Sequence, residues 1–272
     1  MKKDISTIIL MLIFLIGISV LLYPTISDYI NSFSQSRAVA NYDQSIALMN
    51  QAKYEEMIEE AENYNNQLYQ KSNPLMQYKE VLGYEKILSP NDDGMIGYIE
   101  IDKIKLRLPI YKGTTESILQ VGVGHLEGSS LPIGGKNSHA ILTGHRGLPS
   151  STLFTNLDRL EIGDQFSISV LGDILVYEID QIKVVEPNDT NDLEIIEGGD
   201  YVTLVTCTPY GINTHRLLVR GMRVEAGTDL NSIRIVADAK VIDRFLVTPI
   251  LAIPILLSIL IYVLIKYKRK LN

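Results

Sequence analysis

Cys207 is the only cysteine in the chain. It ends the segment Tyr201-Val-Thr-Leu-Val-Thr-Cys207, whose alternation reads as a β-strand with Tyr201, Thr203, Val205 and Cys207 on one face. Thr208-Pro-Tyr-Gly-Ile-Asn-Thr214 supplies turn residues, and Arg216-Leu-Leu-Val-Arg220 resumes extended chain. If the two strands pair as a hairpin, Cys207 and Arg216 meet at its loop end, within reach of one ligand. A guanidinium there can bond a substrate carbonyl or stabilise the oxyanion of a tetrahedral intermediate, and positive charge beside a thiol favours the thiolate. The plainer alternative makes Arg216 a surface strand residue. Arg220 shares its face, one strand repeat farther from the loop.

A thiol nucleophile needs an imidazole partner, and the four histidines are His125, His139, His145 and His215. His145 lies in Leu142-Thr-Gly-His-Arg-Gly147, where a strand runs into a glycine-rich loop that can expose a polar side chain to a cleft. His139 opens the same strand and is expected to face outward. His125 sits in another glycine-rich loop, where a structural role suffices. His215 rivals His145 because it neighbours Arg216, although strand alternation turns it to the opposite face. No metal-ligand spacing links these histidines, so no metal site is expected.

These residues are expected to be held by elements on the far side of a membrane. Ile8–Leu22 carries no charge, and Ile5–Tyr23 is about long enough to cross a bilayer. Lys2 and Lys3 precede it, and no small-residue cleavage site follows closely, so an uncleaved anchor is preferred to a signal peptide. Phe245–Ile265 is a second uncharged run, containing Pro249 and Pro254 and followed by Lys266, Lys268, Arg269 and Lys270. Positive flanks favour the cytoplasmic side. Both termini are therefore expected inside and residues from about 24 to 244 outside. Hydrophobic residues make up 46% of the chain, with the excess at the two ends. A net charge of −7 without a long basic block argues against nucleic acid as a partner. A single cysteine in an exported domain forms no internal disulfide, so it is either a buried small hydrophobe or a reactive group.

Between the two runs, Tyr42, Ile46, Met49, Met57, Ala61, Tyr64 and Leu68 recur at helical spacing, predicting an amphipathic helix over 37–68. Pro74 interrupts it, and Ser89–Gly94 is a turn cluster. After Gly94 the chain becomes short β-rich segments at 95–101, 104–110, 139–142, 166–170, 174–185, 201–207 and 216–224, separated by Gly, Pro, Asn and Asp. Gly128–Asn137 reads as a loop. Such spacing suggests a barrel or a sandwich rather than βαβ units.

Together these motifs resemble the sortases. Thr203-Leu-Val-Thr-Cys207 matches the family's TLxTC signature. Thr143-Gly-His145 matches its histidine segment about sixty residues upstream, and Arg216 falls where its arginine follows the cysteine. The resemblance covers roughly Met95–Val224. It implies a mostly β fold: an eight-stranded sortase-type barrel with an N-terminal helical and lid extension and two transmembrane helices. Gly94-Met-Ile-Gly-Tyr-Ile-Glu-Ile101, Val123-Gly-His-Leu-Glu-Gly-Ser-Ser130 and Leu142-Thr-Gly-His-Arg-Gly-Leu-Pro149 are most similar to class C, the pilus-assembling sortases. In that class an Asp-Pro-aromatic lid covers the site. Asn73-Pro74-Leu75 stands at that position here. Asn73 cannot form the lid's ion pair with the arginine and Leu75 cannot stack, so the lid is expected to be weaker or more often open.

What the resemblance implies divides the chain into an anchor (1–23), an extracytoplasmic helical region (24–93, lid-like around 71–78) and a catalytic barrel (94–228). A connector (229–244), a second membrane helix (245–265) and a basic cytoplasmic tail (266–272) follow. Cys207, His145 and Arg216 are the implied catalytic residues, with Thr143 and Thr208 supporting the substrate or oxyanion. No cofactor is implied. The implied reaction cleaves an LPxTG-like sorting signal of a surface protein or pilin through a Cys207 thioester and transfers it to an amine, a pilin lysine in the pilus-building class. The alternatives are a wall-anchoring sortase using a peptidoglycan-precursor amine, a plain cysteine peptidase, and a non-catalytic membrane adaptor that binds peptide.

Overall fold

A computed structural model describes residues 2–91 and 93–224. The connector, the second apolar run and the basic tail lie outside the described residues.

The first apolar run belongs to one long helix, α1 (Lys2–Ala47), with Pro24 inside it. The portion from Met11 has a window of mean hydropathy 1.8, none of it buried by the protein, and is long and apolar enough to cross a membrane. Beyond it the helix changes role and packs on the β-domain. Val39 and Tyr42 are buried with Met95 and Tyr98. The Tyr42 hydroxyl donates to the Ile96 carbonyl at 3.0 Å and accepts from the Leu171 amide at 2.8 Å.

The helical pattern over 37–68 is divided between two helices. The chain leaves α1 at Leu48, and Asn50 starts α2 (Gln51–Tyr69) by accepting the Lys53 amide at 2.9 Å. That side-chain cap satisfies a helix-end donor that would otherwise lack a partner. Met57, Ala61, Tyr64 and Leu68, spaced four and three apart, bury the inner stripe of α2 in the main core. Pro74 then takes the first position of a four-residue helix, α3 (Pro74–Gln77).

The β-domain is a closed barrel of β1 (Met95–Ile101), β2 (Leu106–Lys112), β3 (Val123–His125), β4 (Ser138–Thr143), β5 (Gln165–Val170), β6 (Asp173–Val185), β7 (Asp200–Thr208) and β8 (His215–Val224). Their order around the barrel is β1-β2-β3-β4-β7-β8-β6-β5. Closure leaves no strand edge free to recruit another chain. The β2–β3 and β4–β7 pairs are parallel and the others antiparallel. Seven strands follow the β-rich segments of the sequence to within two residues at each end. β3 does not: its three residues lie among glycines, read as loop, and become strand by pairing with both β2 and β4. Ala140, Leu142, Val202, Leu204, Leu217 and Val219 point into the main core. The alternate positions of β4, β7 and β8 form an outer face, and the candidate chemistry lies at one end of it.

Candidate active site

Three strand ends build the site. β7 pairs with β8 so that Cys207 stands directly opposite Arg216, and Val205 and Thr203 stand opposite Leu218 and Arg220. All six lie on the outer face, and Cys207 is half-buried rather than sealed inside. The β4–β7 register runs through Thr143 opposite Val205, and continuing it by two residues brings His145 level with Cys207. That continuation is held by hydrogen bonds. The Gly144 amide donates to the Val205 carbonyl at 3.1 Å, and the Thr206 hydroxyl donates to the Gly144 carbonyl at 2.7 Å. Gly144 is required where it stands, because a Cβ there would come within 2.8 Å of the Phe154 ring.

The four histidines separate by environment. His125 is fully buried; its Nε2–H donates to the Ser130 carbonyl at 2.8 Å and its Nδ1 accepts from the Tyr84 hydroxyl at 2.9 Å. His139 lies on the outer face as expected, yet it is buried there. Its Nδ1–H donates to the Glu194 carbonyl at 2.8 Å, and its Nε2 accepts from the Thr203 hydroxyl at 2.7 Å. Carbonyl oxygens only accept, which fixes both tautomers. Burial pushes each imidazole down to about 4, so both are neutral structural groups at neutral pH. His215 is exposed on the other side of β8 from Arg216, bonded to the Thr214 hydroxyl. His145 is half-buried at the strand end, and its Nε2–H donates to the Glu116 carboxylate at 3.3 Å. That leaves Nδ1 as the nitrogen available for proton transfer.

Glu116 opens the short helix α4 (Glu116–Leu119), and its other oxygen accepts from Gln120 at 3.1 Å. The Gln120 hydrogen bond, and after it the charge of His145, hold the Glu116 carboxyl below the usual carboxylate range.

The two arginines on the β8 outer face have different employment. Arg220 is committed to Asp180, with Nε to Oδ1 at 3.0 Å and Nη2 to Oδ2 at 2.6 Å, and it lies over the Tyr201 ring. Arg216 has no carboxylate among its described partners; its Nη1 donates to the carbonyls of Asn213 and His215 at 3.3 and 3.1 Å. Arg216 also lines a cleft of about 300 Å³ with Thr143, Val205 and Leu218 on its floor, and Pro187 and Leu193 from the β6–β7 connection beside them. This trough is mostly apolar, with Arg216 and Asp189 as its charged lining residues, and suits an extended peptide whose carbonyl is to be polarised.

Arg146 carried no expectation beyond its place in the histidine segment. Its side chain is only 8% exposed, pairs with Asp158, and donates from Nη1 to the Thr208 hydroxyl at 3.1 Å. The residue after His145 is thereby tied to the residue after Cys207. Thr143 lines the cleft and donates its hydroxyl to the Val205 carbonyl at 3.4 Å. Asn73 caps α3 by accepting the Met76 amide at 3.3 Å. Pro74 and Leu75 pack against Gly128 in the β3–β4 connection, where a Cβ would meet the Leu75 backbone at 2.9 Å. None of the three is among the residues lining the cleft.

The class defined by these features is a closed β-barrel presenting a thiol, an imidazole and a guanidinium at one end of its outer face. The sortase-domain family model matches residues 99–224. Sortase D of Bacillus subtilis is 34% identical over 131 residues, covering 47% of this chain and 63% of that protein. Sortase A of Streptococcus agalactiae is 31% identical over 117 residues, covering 42% and 47%. The chain thus spans less than two thirds of these curated relatives. Solved structures match over more of their length. Sortase C1 of S. agalactiae superposes with a TM-score of 0.64 at 47% identity, covering 70% of this chain and all of that one. Sortase C of Clostridium perfringens, solved with the C-terminal cell wall sorting motif, gives 0.62 at 40% identity, covering 70% and 100%. The chain belongs to the sortase family, and its structural neighbours are class C members.

Proposed function

We propose that this chain is a membrane-anchored cysteine transpeptidase in which Cys207, His145 and Arg216 carry the chemistry. The observation that carries the reading is the Cys207–Arg216 cross-strand pair, with His145 brought level by the β4–β7 register. The Cys207 sulfur attacks the Thr–Gly carbonyl of an LPxTG-like sorting signal lying in the cleft. A carbon–sulfur bond forms while Arg216 stabilises the oxyanion, with support from Thr143 and Thr208. As the tetrahedral species collapses, the carbon–nitrogen bond breaks and His145 donates its proton to the leaving glycine amine. An incoming amine then attacks the thioester, loses a proton to His145 and expels the thiolate.

The acceptor in this reading is a pilin lysine. What supports it is the likeness to class C structures over 70% of the chain, one of them a relative solved with its sorting motif. The proposed arrangement keeps the anchor, helical region, barrel, connector, second membrane helix and basic tail in the order given by the sequence, with both termini cytoplasmic. Described residues contribute one helix long and apolar enough to cross a membrane.

The test is mass spectrometry of the protein incubated with a sorting peptide without acceptor, then with either a pilin lysine or a wall-precursor amine. An acyl adduct on Cys207 that transfers to the lysine is expected. Transfer only to the wall precursor would make the enzyme an anchoring sortase, and absence of any adduct would leave the non-catalytic adaptor.

A further inference from the structure

With α1 as the membrane anchor of the proposed function, its contacts set how the barrel sits on the bilayer. Between Asp4 and Asp28 the chain has no charged residue, so the helix leaves hydrocarbon between Tyr23 and Asp28. Just past that exit one stripe of α1 grips the barrel. Asp28 accepts the Thr152 amide and hydroxyl at 2.7 and 3.0 Å, and Asn31 donates to the Ser150 carbonyl at 2.7 Å. Gln35 donates to the Val121 carbonyl at 3.0 Å. The gripped segment is the continuation of the His145 loop, and Phe154 donates its amide back to the His145 carbonyl at 3.1 Å. At its other end α1 reaches the β5–β6 turn, where Ile46 meets Gly172, and Tyr54 of α2 bonds Asp173 at 2.6 Å. From Asp28 to Ile46 a helix rises about 27 Å. The end of the barrel bearing Cys207, His145 and Arg216 is therefore the end beside the bilayer, and the β5–β6 turn is the far end.

Among the described residues that near end carries exposed apolar side chains. Tyr210, 60% exposed, lies on Gly147 of the same gripped loop, and Ile212 at the β7–β8 tip is 68% exposed. On the face of α1 opposite the gripping stripe, Tyr23 and Ile26 are 58% and 53% exposed at the exit level. Tyrosines with an apolar body and a wet hydroxyl favour the headgroup region.

We propose that Tyr210 and Ile212 seat the active-site end of the barrel in the lipid headgroup layer, so that the cleft opens at the bilayer surface. The occupant is lipid rather than a partner protein, because Tyr210 lies on the same loop that α1 grips just past its exit from the bilayer. A polypeptide emerging from the same bilayer would meet Cys207 within a few residues of its exit.

The chain has no tryptophan, so single-tryptophan variants of the full-length protein report position without background. In nanodiscs, Ile212→Trp fluorescence is expected to fall when phosphatidylcholine is replaced by a lipid brominated near the glycerol end of its acyl chains. Ile174→Trp, at the far end, should not respond. Tyr210→Trp, which keeps an aromatic ring on Gly147, should respond like Ile212→Trp and serves if that variant melts early. Equal intensities in the two lipids for the β7–β8 variants, or stronger quenching at position 174, would overturn the seating. Either result leaves the transpeptidase reading standing, since that is judged by the thioester.

Discussion

Cys207 and Arg216 face one another across the β7–β8 ladder, and among the described residues Arg216 has carbonyl rather than carboxylate partners. Its neighbour Arg220 is neutralised by Asp180. Arg216→Ala should lower the rate of thioester formation by about a hundredfold or more, the scale for removing one oxyanion donor. Alkylation of Cys207 by a small haloacetamide should continue. Arg220→Ala should mainly lower melting temperature. If Arg216→Ala keeps its rate and Arg220→Ala loses it, the assignment of the guanidinium is wrong.

His145 donates to Glu116 in the way an orienting carboxylate holds an imidazole, but Glu116 is well exposed. Exposed pairs are weak, so Glu116→Gln should reduce kcat by no more than about fivefold, with KM unchanged. His145→Ala should abolish transfer. A collapse of activity in Glu116→Gln would promote this residue from positioning the imidazole to a larger role. Retained activity in His145→Ala with loss in His215→Ala would move the base to the other face of β8.

Much of this arrangement was legible in the sequence, for definable reasons. Period-two patterning and turn residues mark seven strands, and a hairpin with Cys207 and Arg216 at its mouth follows from alternation alone. The parallel pairing of β4 with β7, which brings His145 level with Cys207, is a contact across more than fifty residues and has no local signature. The resemblance supplied the role of His145, not the pairing. β3 was missed because three residues among glycines carry no periodicity and are held only by their neighbours. Glu116 was missed because its bond to His145 joins residues far apart in the chain and has no local signature, and Arg146 because a charged residue in a loop usually faces water. Nothing in Leu142–Pro149 says that Arg146 would be buried with Asp158 and Thr208 as its partners. The buried His139 was read as outward, which is right for its face; the β6–β7 connection that covers it lies more than fifty residues on.

Arg146 and Asp158 make an asymmetric pair, the cation 8% and the carboxylate 48% exposed. Removing Asp158 strands a buried guanidinium, whereas removing Arg146 returns a carboxylate to water. Asp158→Ala should therefore cost more than Arg146→Met, by about 2 kcal/mol on the scale for half-buried ion pairs. The double variant should regain most of the difference. Chemical denaturation of the three proteins checks this; equal losses would show that the guanidinium is solvated after all. Arg146→Met should also lower kcat more than it raises KM, because it unties Thr208 from the His145 loop.

His125 and His139 give the fold its response to acid. Both imidazoles are held at about 4, chiefly by burial, with Lys112 adding to the effect at His125 and Arg220 at His139. In the unfolded chain each titrates near 6.5. Above about pH 7 neither state binds the extra proton, and stability is flat with respect to these groups. Between pH 6.5 and 4 the unfolded chain takes up protons that the folded barrel refuses, so stability falls with pH. The fall levels off once the folded imidazoles accept protons. The two together contribute on the order of a few kcal/mol over that window. Melting temperature measured from pH 7.5 to 4 should decline steadily, and His139→Gln, though less stable at neutral pH, should decline less steeply. Parallel curves for the two proteins would mean that His139 titrates normally in the fold and that the β6–β7 connection does not keep it dry.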